Sequence, residues 1–561
     1  MFLPTTLQEV KILGWDALDV ILISGDSYID SPFIGIAVIG RILQKAGYRV
    51  GIIAQPAIDK PEDITRLGEP RLFWGVSGGC VDSMVANYTA TLKKRKSDDY
   101  TPGGINDRRP DRAVIVYSNL IRRYYKATRP IVLGGIEASL RRVTHYDYWT
   151  DKLRAPILFD SKANYLLYGM AEQSIIDLAN ALRDGTDVTA IRGLCYLSKL
   201  VPNNYLTLPS FEACQTDKNT FITMFHQFYQ NNDPVTAKGM AQQKGDRFLI
   251  HNPPYPYPTT AMMDDFHRVH YTRDLHPYYA RQGSVKALET IRFSVATHRG
   301  CYGECNFCSI AVHEGRTVRW RSEQSIINEI EQLTNHPEFK GYIQDLGGPT
   351  ANMYSIECQK KILQGCCKDK RCLYPKVCPL LKIDHKKQIA LLRSVRKIKG
   401  VKKVFVASGI RYDMVLDDKQ SGQEYLEEIV QHHVSGQLKI APEHTDPTVL
   451  EKMGKTGTFA LLEFKRRFDE ANSKFDKKQF LTYYFIAAYP GCSDREMHSL
   501  RQFTSQKLHI NPEQVQVFTP LPSTYASVMY YTEQDPFTGE SLFVEKNLSR
   551  KSRQKQIVTN K

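Results

Sequence analysis

The sequence predicts an α/β protein in two parts, an open parallel sheet followed by a partial or complete β/α barrel. Three observations carry that expectation: two series of strand-like apolar runs alternating with helix-like stretches, glycines placed directly after many of the runs, and a length of 561 residues, more than one ordinary core needs. Hydrophobic residues make up 42% of the chain and charged residues 24%, which excludes wholesale disorder. No apolar stretch reaches the roughly 18 residues of a membrane span. No basic leader with a small-residue cleavage site opens the chain. A cytoplasmic protein with no membrane segment is therefore expected.

The first series begins at residues 18–24 (LDVILIS), strand-like and apolar, and continues through GIAVIGRILQKAG, a helix with Ile36, Ile39, Ile42 and Leu43 on one side and Gly47 as its stop. Residues 49–53 restart extended structure and complete a parallel β-α-β unit. Further strands are expected at Leu72–Val76, Ala113–Tyr117, Pro130–Leu133 and Tyr165–Tyr168, giving a first domain over residues 1–200. Ligands of such a sheet bind beyond the carboxyl ends of its strands, where Gly25–Ser31, Gly75–Val81, Gly134–Leu140 and Gly169–Gln173 gather.

Residues 201–285 contain HNPPYPYPTTAMMDDFH, whose prolines resist a continuous regular element, and are expected to form a connector. Its His251, His267, His270 and His276 lack a nearby cysteine pair and are read as surface or packed side chains. The second series follows over residues 286–540, with strands expected at Ile291–Ala296, Gly341–Asp345, Lys403–Ala407, Gly436–Ile440, Tyr483–Ala487 and Val515–Thr519. The loops after such strands form the active face of a β/α barrel. The terminal residues 541–561, basic and poor in apolar side chains, are expected to be a loose tail. The formal charge of +15 attracts anionic partners, RNA, DNA or metabolites, without choosing among them.

Twelve cysteines are present, and eight fall between 301 and 378. Such local clustering favours metal ligation in a reducing compartment over a disulfide framework. Cys301, Cys305 and Cys308 stand in CYGECNFC, directly after an expected strand. A structural zinc site normally has a fourth protein ligand, whereas a four-iron, four-sulfur cluster held by three thiolates leaves one iron open. A second group, Cys358, Cys367, Cys372 and Cys378, lies in an insertion over 358–378 and either holds an auxiliary iron–sulfur cluster or zinc, or is reduced and structural. Adjacent Cys366 and Cys367 cannot readily both face one ion, so only one of them is counted.

Three later loops complete the candidate site. Gly347, Gly348, Pro349 and Thr350 allow close backbone approach, or serve only as a turn. Ser408 and Arg411 follow the next strand, and Arg411 suits either a charge-assisted contact to a carboxylate or a surface ion pair. Lys439, Glu443 and His444 in LKIAPEH can anchor an anion or move a proton, or can equally form a local ion-pair and cap network.

The spacing Cys301–Cys305–Cys308, with Phe307 before the last thiol, resembles the signature of radical S-adenosylmethionine (radical SAM) enzymes. With GGPTANMY at 347–354, SGIRYD at 408–413, LKIAPEHT at 438–445 and the long amino-terminal region, the chain resembles the YgiQ-type family of radical SAM proteins over nearly its whole length. The resemblance implies a [4Fe–4S] cluster on the three cysteines and S-adenosylmethionine bound near the glycine element, Ser408 and Arg411. It further implies a low-potential donor such as a flavodoxin or ferredoxin, and carbon–hydrogen abstraction as the first step on substrate. It also implies a Rossmann-like, cobalamin-binding-like first domain, in which SGDSYID at 24–30 and LGGIE at 133–137 match the family's loops. Around Asp26 the run DSYIDS lacks the histidine of an axial-ligand motif, so cobalamin binds without a protein ligand or the domain is repurposed. Alternative readings are a radical enzyme modifying RNA, a cobalamin-dependent radical methyltransferase, and a non-catalytic iron–sulfur interaction protein.

Overall fold

A computed structural model describes residues 1–368 and 370–559. The chain folds into two units, residues 1–256 with 265–292, and residues 257–264 with 293 onward.

In the first unit, strands β1 (Val20–Ser24), β2 (Val50–Ala54), β3 (Phe73–Ser77) and β4 (Ile131–Gly134) run parallel. A short hairpin, β5 (His145–Asp147) and β6 (Lys152–Arg154), precedes β7 (Tyr165–Leu167), which pairs parallel to β4. β1 and β2 are buried along their full lengths, which is why they read as continuous apolar runs rather than alternating ones. Helix Gly35–Lys45 packs closely on them: a Cβ at Gly40 would lie 3.3 Å from Leu22 Cδ1 of β1 and 3.7 Å from Ile52 Cδ1 of β2.

Two expectations fail in this unit. Ala113–Tyr117 is the start of a helix, Ala113–Tyr124, which buries residues 113, 114, 117, 118, 120 and 121, a helical period under a β-branched run. The residues expected as a connector instead extend the sheet. β8 (Leu194–Ser198), β9 (Leu206–Leu208), β10 (Met240–Lys244) and β11 (Arg247–His251) continue it to nine strands in the order β2-β1-β3-β4-β7-β8-β11-β10-β9. Residues 265–292 return to the parallel half, where Ile29 bridges Leu275 and Ala287 N–H donates to Asp99 O at 2.8 Å. Of the four histidines, His251 is buried and accepts at Nε2 from Arg142 Nε at 3.0 Å, His276 is buried against the Tyr28 ring, and His270 is exposed.

The second unit is the β/α series. β12 (Ser294–Ala296) leads into an antiparallel pair, β13 (His298–Arg299) with β14 (Arg319–Trp320), which closes the cysteine loop at its base. β15 (Tyr342–Ile343), β16 (Asp345–Gly347), β17 (Lys403–Val404), β18 (Gln437–Glu443), β19 (Phe480–Ala487) and β20 (Val515–Val517) follow. Pairing is parallel throughout, β12 to β16, β15 to β17, and β18 to β19 to β20, with single bonds from Leu346 to Phe405 and from Val406 to His433 joining the segments. Among the described residues no pairing joins β20 to β12, so the barrel is partial. Helices Glu323–Thr334, Lys386–Arg396, Gly422–His432, Thr458–Lys474 and Asp494–Phe503 alternate with the strands.

The basic tail is not loose over its described length. Helix Leu548–Thr559 buries Lys551, Gln554, Ile557 and Val558. Gln554 accepts from Ala488 N–H at 2.9 Å and donates to Cys492 O at 3.2 Å, while Lys551 Nζ lies 4.5 Å from the centre of the Tyr530 ring. Polar heads with partners replace the apolar content the composition lacked. No helix among the described residues is long and apolar enough to cross a membrane.

Candidate active site

The loop carrying Cys301, Cys305 and Cys308 presents two sides. The intervening Tyr302, Glu304 and Asn306 are buried and anchored. Tyr302 donates to Ile356 O at 3.3 Å, Asn306 Nδ2 donates to Lys452 O at 2.7 Å, and Glu304 receives Lys361 Nζ at 2.9 Å and Arg316 Nε at 2.7 Å. The three thiols are half-buried. Gly303 keeps the space beside them, since a Cβ there would lie 3.3 Å from Cys301 Sγ and 3.6 Å from Cys305 Sγ. Burial first and the neighbouring thiols second push the Cys301 and Cys308 thiols up, so shared negative charge here needs a cation to offset it. Among the described residues no three His, Cys, Asp or Glu side chains already stand in a metal-holding arrangement, so the thiols are neighbours without a finished coordination shell. Their softness, their proximity and the glycine cradle fit an iron–sulfur cluster.

The expected loops meet this one. Thr350 Oγ1 lies 3.6 Å from Cys301 Sγ. Gly348 must be glycine, because a Cβ would approach the His298 ring to 2.6 Å, and that ring is fixed by Thr297 Oγ1 at 2.8 Å and Thr350 O at 3.0 Å. Gly347 O accepts from Thr297 N–H at 2.7 Å, and Pro349 sits between these two contacts. Ser408 is tied to Asp345, whose carboxylate also accepts from Ala407 N–H at 2.8 Å. Arg411 places Nη1 3.7 Å from Cys305 Sγ, while its Nε donates to Asp413 at 2.9 Å and its Nη2 pairs with the same carboxylate.

These contacts bring the three loops together at the cysteines. Residues 2–294 match the family model for the radical SAM N-terminal region, and residues 295–504 that of the radical SAM superfamily. A UPF0313 protein of Fusobacterium nucleatum is 58% identical over 100% of this chain and 99% of its own, and one of Methanocella arvoryzae is 46% identical over 99% and 92%. The chain belongs to the radical SAM superfamily, in its UPF0313 group. A solved structure of TsrM, a radical SAM methyltransferase from Kitasatospora setae with cobalamin and a [4Fe–4S] cluster bound, aligns over 92% of this chain and 78% of its own with 15% identity and a TM-score of 0.49. As a member of that superfamily the protein is an enzyme.

Of the remaining candidates, Glu443 stays with this radical SAM site and two leave it. Glu443 ends β18 at φ +69°, a left-handed backbone that a non-glycine residue holds only under constraint. Burial pushes its carboxyl up to about 7, against the pull of Lys455 and Arg411. An acid raised in the native state favours folding at low pH and loses that contribution as pH climbs from the ordinary glutamate range through 7. Glu443→Gln should therefore be the more stable chain at pH 8, by no more than about 3 kcal/mol, and equal to the parent at pH 4. Thermal unfolding at the two pH values checks this. His444 is fully buried, its Nδ1 accepts from Asp446 N–H at 3.0 Å, its Nε2 lies 3.6 Å from Cys492 Sγ, and burial lowers it to about 4. It caps a turn as a neutral ring. Lys439 is exposed on β18, and its carbonyl receives Ile410 N–H at 3.3 Å.

Three members of the second cysteine group share one apolar cluster and the fourth, Cys367, stands outside it. Cys358 and Cys372 are buried in an apolar cluster with Tyr302, Val318, Leu373 and Met414, and Cys378 lies at its edge. Cys367 faces Lys360 Nζ at 3.4 Å, whereas Cys366 approaches Tyr257 Oη at 3.8 Å and Thr317 Oγ1 at 3.9 Å. What the insertion does deliver is Lys361, which is buried and paired with Glu304. Sequence reasoning missed Glu304, Lys361 and Asp413; the one signal was an acidic residue inside a cysteine loop.

In the first unit, buried ion pairs hold the loops at the carboxyl ends of the parallel strands, where the resemblance implies a cobalamin-binding-like domain. Between β1 and β3, Asp26 is sealed by Arg109 and by Cys80 N–H at 2.6 Å, and Arg109 also pairs with Asp98 at 3.0 Å, all three charged groups being nearly inaccessible. Between β3 and β4, the buried Glu137 accepts from Ser83 N–H at 2.9 Å and lies 2.3 Å from where a Gly78 Cβ would stand.

Proposed function

We propose that this chain binds a [4Fe–4S] cluster through Cys301, Cys305 and Cys308 and cleaves S-adenosylmethionine reductively to begin carbon–hydrogen abstraction on a substrate. The observation that carries the reading is the two-sided loop, whose anchored Tyr302, Glu304 and Asn306 leave the Cys301 and Cys305 thiols beside the Gly303 cradle, with Cys308 three residues further along the same loop. When bound, the cluster supplies the electron and an open iron for the sulfonium compound. Gly347, Gly348 and Thr350, beside Cys301, suit the methionine amino group, because backbone can come close where no Cβ intervenes. Ser408 stands on the same rim, held by Asp345, and Glu443 is the titratable group suited to hold or move a proton there.

The donor in this reading is a flavodoxin or ferredoxin in the cytoplasm. The net charge of +15 favours an anionic substrate, with RNA the first to test through salt-dependent binding and RNA-stimulated cleavage. An auxiliary iron–sulfur cluster or zinc in the cysteine-rich insertion would draw on Cys358, Cys372 and Cys378, which share one apolar cluster.

Anaerobically purified protein, reduced with dithionite in the presence of S-adenosylmethionine, should yield 5′-deoxyadenosine and methionine. A reducible cluster that produces neither would instead support a non-catalytic iron–sulfur protein.

A further inference from the structure

We propose that Arg411 sets the reduction potential of the group held by Cys301, Cys305 and Cys308, acting on it through Cys305. This rests on the cluster reading above and gives Arg411 a different task from the carboxylate contact expected from its sequence position. Two of its three guanidinium nitrogens, Nε and Nη2, are committed to Asp413, and the third, Nη1, faces Cys305 Sγ at 3.7 Å and the Gly303 cradle at 3.3 Å from its would-be Cβ. The backbone of Arg411 is clamped from both directions by one side chain: Asn352 Oδ1 accepts from Arg411 N–H at 2.8 Å, and Asn352 Nδ2 donates to Arg411 O at 3.0 Å. Arg411 is 8% exposed and Asp413 7%, so solvent screens the pair weakly. Thr456 Oγ1 lies 3.5 Å from Asp413 and helps hold the carboxylate.

The result is a fixed ion pair with its positive end at a cluster ligand and its negative end behind. A cation and its N–H groups beside a thiolate stabilise the state with one more electron, and so raise the potential. The carboxylate behind it opposes that effect. The two residues therefore act in opposite directions on one observable, which a purely structural role does not predict.

The test is a redox titration of full-length, anaerobically reconstituted protein, followed by electron paramagnetic resonance, with iron and sulfide counted first. Arg411→Gln should reduce the ratio of reduced to oxidised cluster at fixed potential about tenfold, a shift of about 59 mV for one electron. Asp413→Asn should move it the other way, and Arg411→Lys should stay near the parent because it keeps the charge. If Arg411→Gln fails to hold iron, the other two variants still decide the matter. Shifts of the same sign in Arg411→Gln and Asp413→Asn, or no shift with an intact cluster, would overturn the proposal. A parent protein that assembles no reducible cluster would sink the cluster reading itself, and this inference with it.

Discussion

Glu304→Ala should cost the second unit about 3–5 kcal/mol, the range for removing one partner from a buried ion pair. Its carboxylate neutralises two cations at once: Lys361, as inaccessible as Glu304 itself at 1% side-chain exposure, and Arg316 at 7%. Lys361 Nζ also donates to Arg316 O at 2.7 Å, and Arg316 Nη2 to Cys367 O at 3.3 Å, so the loss takes a shared buried counter-charge from both cations at the joint between insertion and cysteine loop. Denaturant unfolding of the metal-free chain measures the effect. Lys361→Met should cost less, because it leaves Glu304 paired with Arg316 and replaces an ammonium with an apolar stem of similar length. Equal stability of Glu304→Ala and the parent would show that the network does not brace the loop.

Replacing Cys301, Cys305 or Cys308 by Ala should abolish bound iron and 5′-deoxyadenosine formation while leaving the fold within about 1–2 kcal/mol of the parent. The contrast with Glu304 follows from the two sides of the loop. Its conformation is held by the side chains between the cysteines, by Asn306 N–H on Met453 O at 3.0 Å and by Gly300, where a Cβ would meet Thr317 O at 2.4 Å. The thiols contribute little to that scaffold. Iron analysis, product chromatography and thermal unfolding on the same samples separate the two roles, and iron retained in all three variants would exclude these cysteines as ligands.

What the sequence made legible is what local pattern encodes. The strand and helix series of both units were readable because buried strands are continuous in apolar residues and because glycines stop the helices, as Gly47 does at φ +93°. The cysteine loop was readable because its spacing is complete within eight residues. The failures share the opposite property. Ala113–Tyr117 has strand propensity, and only packing against the sheet turns AVIVY into a helix. The terminal helix looked too polar to order, yet Gln554 finds Ala488 and Cys492, 66 and 62 residues away. Glu304 and Lys361 stand 57 residues apart, so neither announces the other. His444 had the chemistry of a proton carrier, and only its complete burial beside Cys492 shows a neutral capping ring.

The account stands on a cluster with one iron free to take S-adenosylmethionine, and spectroscopy tests that most directly. The dithionite-reduced, anaerobically prepared enzyme should show the resonance of a single [4Fe–4S]⁺ cluster whose g-values change when S-adenosylmethionine is added. An iron-replete cluster whose spectrum is unaltered by saturating S-adenosylmethionine, or zinc in place of iron at the three cysteines, would contradict it.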